Sequence, residues 1–167
     1  ATILTITILF YVVVYTIWLK QKTPQNIVIG GTAGAFPPII GWTIATGNIT
    51  LEPILLFLII FFWTPSHFWA LSLYKKEDYK NAKIPMLPIT AGTKTTKINI
   101  FVYSLILFAV ALAPFFFSYS GTLYFVFASV LGLYYVYLCY KLLIEKIIEL
   151  EKIIAKKIFF FSIIYLF

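Results

Sequence analysis

The sequence predicts an all-α fold, a polytopic transmembrane helical bundle, on the strength of three observations. Apolar residues make up 62% of the 167 and charged residues only 11%, against about 45–50% and about 25% in an ordinary soluble domain. A chain this short cannot bury so much apolar surface within itself, whereas lipid can cover it. The apolar residues fall into six runs, most of them near the ~20 residues a helix needs to cross a bilayer. The charges between the runs also alternate, because every lysine lies in the first, third or fifth connection.

In order, the runs cover residues 1–19, 27–46, 53–73, 98–117, 121–140, and from 158 onward. We expect about five complete spans and one truncated span. The first run lacks a small-residue cleavage site before Lys20, so it reads as a span and not as the core of a signal peptide. Thr, Gly and Pro interrupt the runs, as membrane helices tolerate. With no internal repeat and no linker, residues 1–167 form one domain. Because the sequence starts and stops inside apolar runs, we expect an N-terminal part to be missing.

The connection 20–26 holds Lys20 and Lys22, and 47–52 holds only Glu52. Residues 74–97 carry six lysines with Glu77 and Asp78, 118–120 carry no charge, and 141–157 carry five lysines and three glutamates. Lysines in short loops mark the inner side of a membrane, here cytoplasmic or matrix. Topology and anionic lipid therefore account for the net charge of +7. Nucleic-acid binding is excluded, since it would require basic residues interleaved with exposed aromatics on a soluble surface. The spacing in 141–157 predicts an interfacial connector with Glu145, Glu149 and Lys152 on one face. Cys139 is the lone cysteine, so it forms neither an internal disulfide nor a paired metal site.

Three segments are more polar or more unusual than a plain span requires. Residues 20–34 read KQKTPQNIVIGGTAG. Pro24 suits a helix start, and Gly30, Gly31 and Gly34 make a thin face for close helix approach. Residues 63–70 read WTPSHFWA and contain His67, the only histidine. A histidine in a span is costly and faces the bundle interior. Pro65 loosens the backbone ladder beside it, so His67 is expected to face a polar cavity. It could carry protons, ligate haem, or be a packed residue satisfied by a neighbour. Residues 74–97 read YKKEDYKNAKIPMLPITAGTKTTK, with Asp78 and Glu77 among Lys75, Lys76, Lys80 and Lys83. Such a cluster can hold a divalent metal through carboxylate and phosphate oxygens through lysine, or it can be a solvated loop with surface ion pairs.

Four strings together resemble the protoheme IX farnesyltransferase (haem O synthase) family of intramembrane aromatic prenyltransferases. They are YTIWLKQKTPQNIVIGGTAG at 15–34, FPPIIGWTIATG at 36–47, FFWTPSHFWALSLYKKEDY at 61–79 and AKIPMLPITAGTKTT at 82–96. The closing KIFFFSIIYLF resembles the family more weakly, so the likeness covers essentially the whole sequence. It implies an all-α bundle of about nine helices, open toward the inner side, that transfers a farnesyl group from farnesyl diphosphate to a vinyl group of haem b. The implied cofactor is Mg2+, held by the substrate diphosphate and by acidic residues. The implied location is a bacterial inner membrane, with a mitochondrial one the second choice. Haem A synthase or oxidase assembly factors would be its protein partners.

Residue by residue, Asp78 matches the family's second acidic motif and would help bind magnesium diphosphate. Lys20 and Lys22 match its basic loop, with Lys75 and Lys83 as further diphosphate candidates. His67 matches the family's histidine, which would ligate or orient haem. Asn26 and Tyr79 match substrate-binding motif positions. Gln21 stands where the family has arginine, and Ser66 where it has a second proline, which implies a milder kink. No aspartate precedes Asp78, so the family's first acidic motif would lie before residue 1. The sequence then carries half the metal site, and the 167 residues alone are expected to be inactive. Two other readings are a prenyltransferase of a quinone precursor, against which HFWAL and PMLP argue, and a transporter or assembly subunit without catalysis. The latter would spread ionisable residues across the bilayer, whereas here they gather at one face.

Overall fold

The computed structural model describes residues 2–19 and 22–166, and these are helical apart from short connections. Helix α1 (Thr2–Leu9) continues as a π-wound helix over Phe10–Leu19. Then follow α2 (Asn26–Ala35), α3 (Pro37–Thr46), α4 (Leu51–Tyr74), α5 (Lys76–Asn81), α6 (Leu87–Thr90), α7 (Gly92–Phe116), α8 (Thr122–Ile144) and α9 (Ile148–Leu166). Four stretches are long and apolar enough to cross a membrane: Asn26–Thr46, Leu51–Tyr74, Gly92–Phe116 and Thr122–Ile144. At 1.5 Å per residue, the last three are each about 35 Å long, enough for a hydrocarbon core of about 30 Å. This is an integral, multi-pass membrane protein.

The expected spans need three corrections. Among the described residues the first run shows Leu4–Trp18 as an apolar helix of shorter reach, so four stretches are long enough to span where about five were expected. The second is two helices, not one, because Pro37 and Pro38 open a new helix at Phe36. The predicted interfacial connector over 141–157 does not form. Helix α8 runs on to Ile144, the backbone turns extended at Glu145, and α9 starts at Ile148 and continues unbroken to Leu166. Glu149 and Lys152 still pair, at 3.0 Å.

Helix α4 is the axis of the bundle, packed against α2, α3, α7 and α9, with α8 closing against α7 and α9. It passes through Pro65 without a break. Hydroxyls take up backbone carbonyls around that proline, Thr64 Oγ1 donating to Ile60 at 2.8 Å and Ser66 Oγ to Trp63 at 3.0 Å. The glycine face works as its spacing suggests at two of three positions. A Cβ on Gly30 would overlap the Tyr15 ring, and one on Gly31 would meet Thr64 Cγ2 at 3.0 Å, while Gly34 is open.

The buried core is displaced toward one end. It includes Trp69, Ala70 and Leu73 of α4, Met86 and Leu87 beside α6, Ile100 and Leu107 of α7, Leu138, Cys139 and Leu142 of α8, and Ile154 and Ile158 of α9. Large apolar residues toward the other end, such as Ile44, Phe116, Leu123 and Phe127, are exposed and suited to lipid contact. The core therefore holds rigid the end at which the lysine-bearing loops emerge.

Candidate functional site

The described lysine-bearing segments meet at that end. An open cleft of about 410 Å3 is lined by Tyr74, Lys75, Lys76, Glu77 and Asp78, by Thr93 at the start of α7, and by Ile148, Glu151 and Lys152 of α9. Asp78 sits in the first turn of α5, where a carboxylate is favoured by the helix N-terminus. Its Oδ2 lies 3.0 Å from Lys75 Nζ, and both side chains are at least half exposed. That contact, first through its hydrogen bond and then through its charge, holds the Lys75 ammonium above its ordinary 10.5.

The far wall of the cleft is fixed by a pair the sequence did not single out. Lys97 of α7 is 7% exposed. Its Nζ donates to the Glu145 carbonyl at 2.7 Å and to Glu151 Oε1 at 2.5 Å. One ammonium thus ties α7 to the α8–α9 junction and to the residue of α9 that faces Asp78 across the cleft. Lys97 and Glu151 are 54 positions apart, with no periodic signal joining them.

Lys75 and Asp78 are brought together as expected. The cleft also gathers Lys76 and Glu77 of the same expected cluster, together with Glu151 and Lys152, which were not singled out as ligands. Lys22 and Lys83 are exposed and do not line it. Lys83 occupies a left-handed turn, φ 55°, after α5. Lys20 lies outside the described residues. Asn26, 1% exposed, is packed at the start of α2 and also does not line the cleft. Tyr79 packs its ring on the core. Burial, then Tyr74 and Asp78, push its phenol above 10.0. The PMLP string is structural, since Met86 and Leu87 belong to the core under α7.

His67 is not in the cleft. It lies seven residues before the end of α4, about 10 Å down the helix. The expected polar cavity is not there: the imidazole is sandwiched between Trp63, at 4.2 Å between centroids, and Phe159, at 4.5 Å, with Phe68 edge-on. Ser162 of α9 satisfies it, with Nδ1 and Oγ 2.6 Å apart. The Ser162 oxygen also lies 2.7 Å from the Phe159 carbonyl, so its one hydroxyl proton is shared between two neighbours, and which ring nitrogen of His67 is protonated follows from which of them it serves. Trp63 Nε1 donates to the Ser162 carbonyl at 2.8 Å. His67 is therefore part of the clamp that docks α9 on α4. Beside it, Ser66 accepts a hydrogen bond from the buried Tyr135 hydroxyl at 2.9 Å.

A second cleft, of about 280 Å3, opens between the π-wound helix, α2 and α4. Tyr11, Tyr15, Trp63 and Phe68 line it over a floor of Gly30, Gly31 and Gly34. Tyr15 lies near enough to Tyr79 for the two phenols to interact electrostatically, which places this aromatic cleft below α5.

Among the described residues, no group of three or more His, Cys, Asp or Glu is placed to hold a metal. A bare ion therefore has no cage here. The donor set at Asp78, carboxylates beside ammonium groups, suits magnesium that brings its own phosphate oxygens, since Mg2+ is commonly held by one or two carboxylates plus substrate phosphates.

A Pelagibacter ubique (strain HTCC1062) protein named protoheme IX farnesyltransferase is 62% identical over 167 residues, all of this chain and 55% of the relative. A Bartonella henselae protein of the same name is 50% identical over 166 residues, 99% of this chain and 53% of the relative. A Mesorhizobium japonicum protein named protoheme IX farnesyltransferase 2 is 52% identical over 167 residues, 100% of this chain and 53% of the relative. The chain spans about half the length of the curated relatives it matches. No solved structure matches it. The pattern of one family runs along residues 1–164, from α1 into α9, and the chain belongs to the UbiA prenyltransferase family.

Proposed function

We propose that this chain supplies the diphosphate end and part of the prenyl cavity of an intramembrane farnesyltransferase that converts haem b to haem O. The observation that carries the proposal is the cleft in which Asp78 and Glu77 stand among Lys75, Lys76 and Lys152 at the mouth of an otherwise apolar bundle. The names of the relatives give the substrate class.

In this reading the lysines hold the diphosphate oxygens and offset the charge that grows on them as the C1–O bond of farnesyl diphosphate breaks. Asp78 would hold magnesium on the same diphosphate, where the ion would supply Lewis-acid stabilisation of the leaving group. The farnesyl chain lies along the aromatic cleft, where Tyr11, Tyr15, Trp63 and Phe68 face an allylic cation and keep water away. C1 then bonds to the terminal vinyl carbon of haem b as the vinyl π bond opens, and water adds to the cation left on the adjacent carbon, with loss of a proton. The lysine end faces the cytoplasm of a bacterial cell by the positive-inside rule. One carboxylate cluster is half of what the chemistry uses, so the 167 residues by themselves form no haem O.

The test replaces the matched segment of the Pelagibacter ubique relative with this chain and measures haem O in membranes supplied with haem b and farnesyl diphosphate. The hybrid is expected to make haem O, and Asp78→Ala to lower the rate by about 100-fold or more, the scale for losing a preorganised electrostatic group. His67→Ala is expected to lower thermal stability along with rate. An Asp78→Ala hybrid as active as its parent would remove this carboxylate from the reaction.

A further inference from the structure

At the opposite end of the bundle, three of the residues that line one open cavity of about 390 Å3 each hold a buried polar atom. These atoms are Nε1 of Trp42 on α3, Oε2 of Glu52 in the first turn of α4, and Oγ of Ser120 before α8. No group among the described residues hydrogen-bonds any of the three. Leaving buried polar atoms unpaired costs about 1–3 kcal/mol each, more for a charged one. Glu52 is also the sole charged residue of the sequence outside the three lysine-bearing segments. The wall of the cavity therefore holds two neutral donors and one carboxylate without a protein partner, with no cation near it in sequence.

Below it, an apolar groove of about 530 Å3 shares Leu56 and Tyr124 with the cavity and continues past Ile60, Phe127 and Leu131. The hydroxyl of Tyr165, which lines this groove, is likewise unpartnered among the described residues. An indole N–H and a hydroxyl ask for acceptor oxygens, the carboxylate asks for a cationic donor, and the groove asks for hydrocarbon.

We propose that this is a binding site for an aminophospholipid, with its ammonium on Glu52, its phosphate oxygens on Trp42 and Ser120, and an acyl chain in the groove beside Tyr165. An anionic lipid does not fit, because the only charge in the cavity is negative. A free amine would fill the upper cavity and leave the apolar groove uncovered. The site is independent of prenyl transfer, which is assigned to the other end.

The test is native mass spectrometry of the full chain in detergent, titrated with phosphatidylethanolamine, phosphatidylglycerol and the water-soluble headgroup glycerophosphoethanolamine. Phosphatidylethanolamine is expected to be retained in preference to phosphatidylglycerol. Glu52→Gln should weaken it by about tenfold or more, the loss of one charge-assisted hydrogen bond. Trp42→Phe, a milder change to the packing, should weaken it less but measurably. Helicity and melting temperature in phosphatidylglycerol micelles should be unchanged in both. Equal retention of the two lipids, or unchanged retention in both variants, would overturn the site. Saturation by the headgroup alone, at the same concentration as the lipid, would overturn the assignment to a lipid.

Discussion

The Lys97 ammonium is the most consequential single contact in the described bundle. Its two acceptors lie on different sides of the α8–α9 junction, and both ion-pair partners are largely withdrawn from water, with side-chain exposures of 8% and 15%. Removing one member of such a pair leaves the other charge without compensation, which is costlier than removing both. Lys97→Met is therefore expected to destabilise the protein by about 3 kcal/mol, with Lys97→Met/Glu151→Leu recovering much of the loss. Thermal unfolding of the three proteins in one detergent checks this. Equal destabilisation by the single and double variants would mean that the pair acts through packing alone. At the same scale, the sequence exposed Asp78 and Lys75 because acids and bases crowd one polar segment that resembles the family's second acidic motif, although it read as a loop where the structure forms α5. It could not expose Glu151 or Lys152, whose approach to Asp78 depends on how α9 docks on α4.

At the scale of elements, the junction between α8 and α9 illustrates what periodicity misses. The charges over 141–157 have helical spacing, and the sequence therefore reads as one amphipathic connector. The chain instead breaks at Glu145, whose carboxylate accepts the N–H groups of Ile147 at 3.1 Å and Lys146 at 2.9 Å. A side chain that bonds its own downstream backbone competes with helix continuation. Those two hydrogen bonds, the Ile147 one first, hold the Glu145 carboxyl below its ordinary 4.5, with Lys141 and Lys97 helping. Because the folded value is the depressed one, the contribution is complete above about pH 4.5 and is lost as pH falls through the folded value. Amide exchange at residues 146 and 147 is expected to accelerate with acid in that window. In Glu145→Gln it should already be faster at neutral pH and show no acid step. An identical acid step in the variant would assign the titration elsewhere. The second span shows the same limit: hydropathy runs smoothly through Phe36, while Pro37 and Pro38 divide the helix. By contrast, the long apolar runs of α4, α7 and α8 were legible to within a few residues, because each must match the thickness of the bilayer.

For the whole molecule, the alternation of charge foretold which loops meet. Lys97 bonds the α8–α9 junction, the 74–78 segment shares a cleft with α9, and Tyr15 lies close to Tyr79. Trp42, Glu52 and Ser120 gather at the other end. Single cysteines in a Cys139→Ser background test the membrane sidedness that follows. Positions 76 and 141 should react with an impermeant maleimide only in inverted vesicles, and positions 48 and 118 only in right-side-out ones. Mixed labelling within either pair would break the topology. For His67 only the expected polar cavity fails, argued from its place in a span beside Pro65; the alternative, a packed residue satisfied by a neighbour, matches the rings of α4 and α9 that enclose it, and only the assembled bundle brings Ser162 to its Nδ1.

The central claim is that the lysine end, through Asp78, holds magnesium and a prenyl diphosphate together. Its most direct test is the binding of farnesyl thiodiphosphate, which resists ionisation, to the hybrid carrying this chain, followed by calorimetry with and without Mg2+. The account predicts magnesium-dependent binding that Asp78→Asn weakens by about tenfold or more, while Glu52→Gln, at the other end, leaves it unchanged. Binding that ignores magnesium and is equally tight in Asp78→Asn would contradict it.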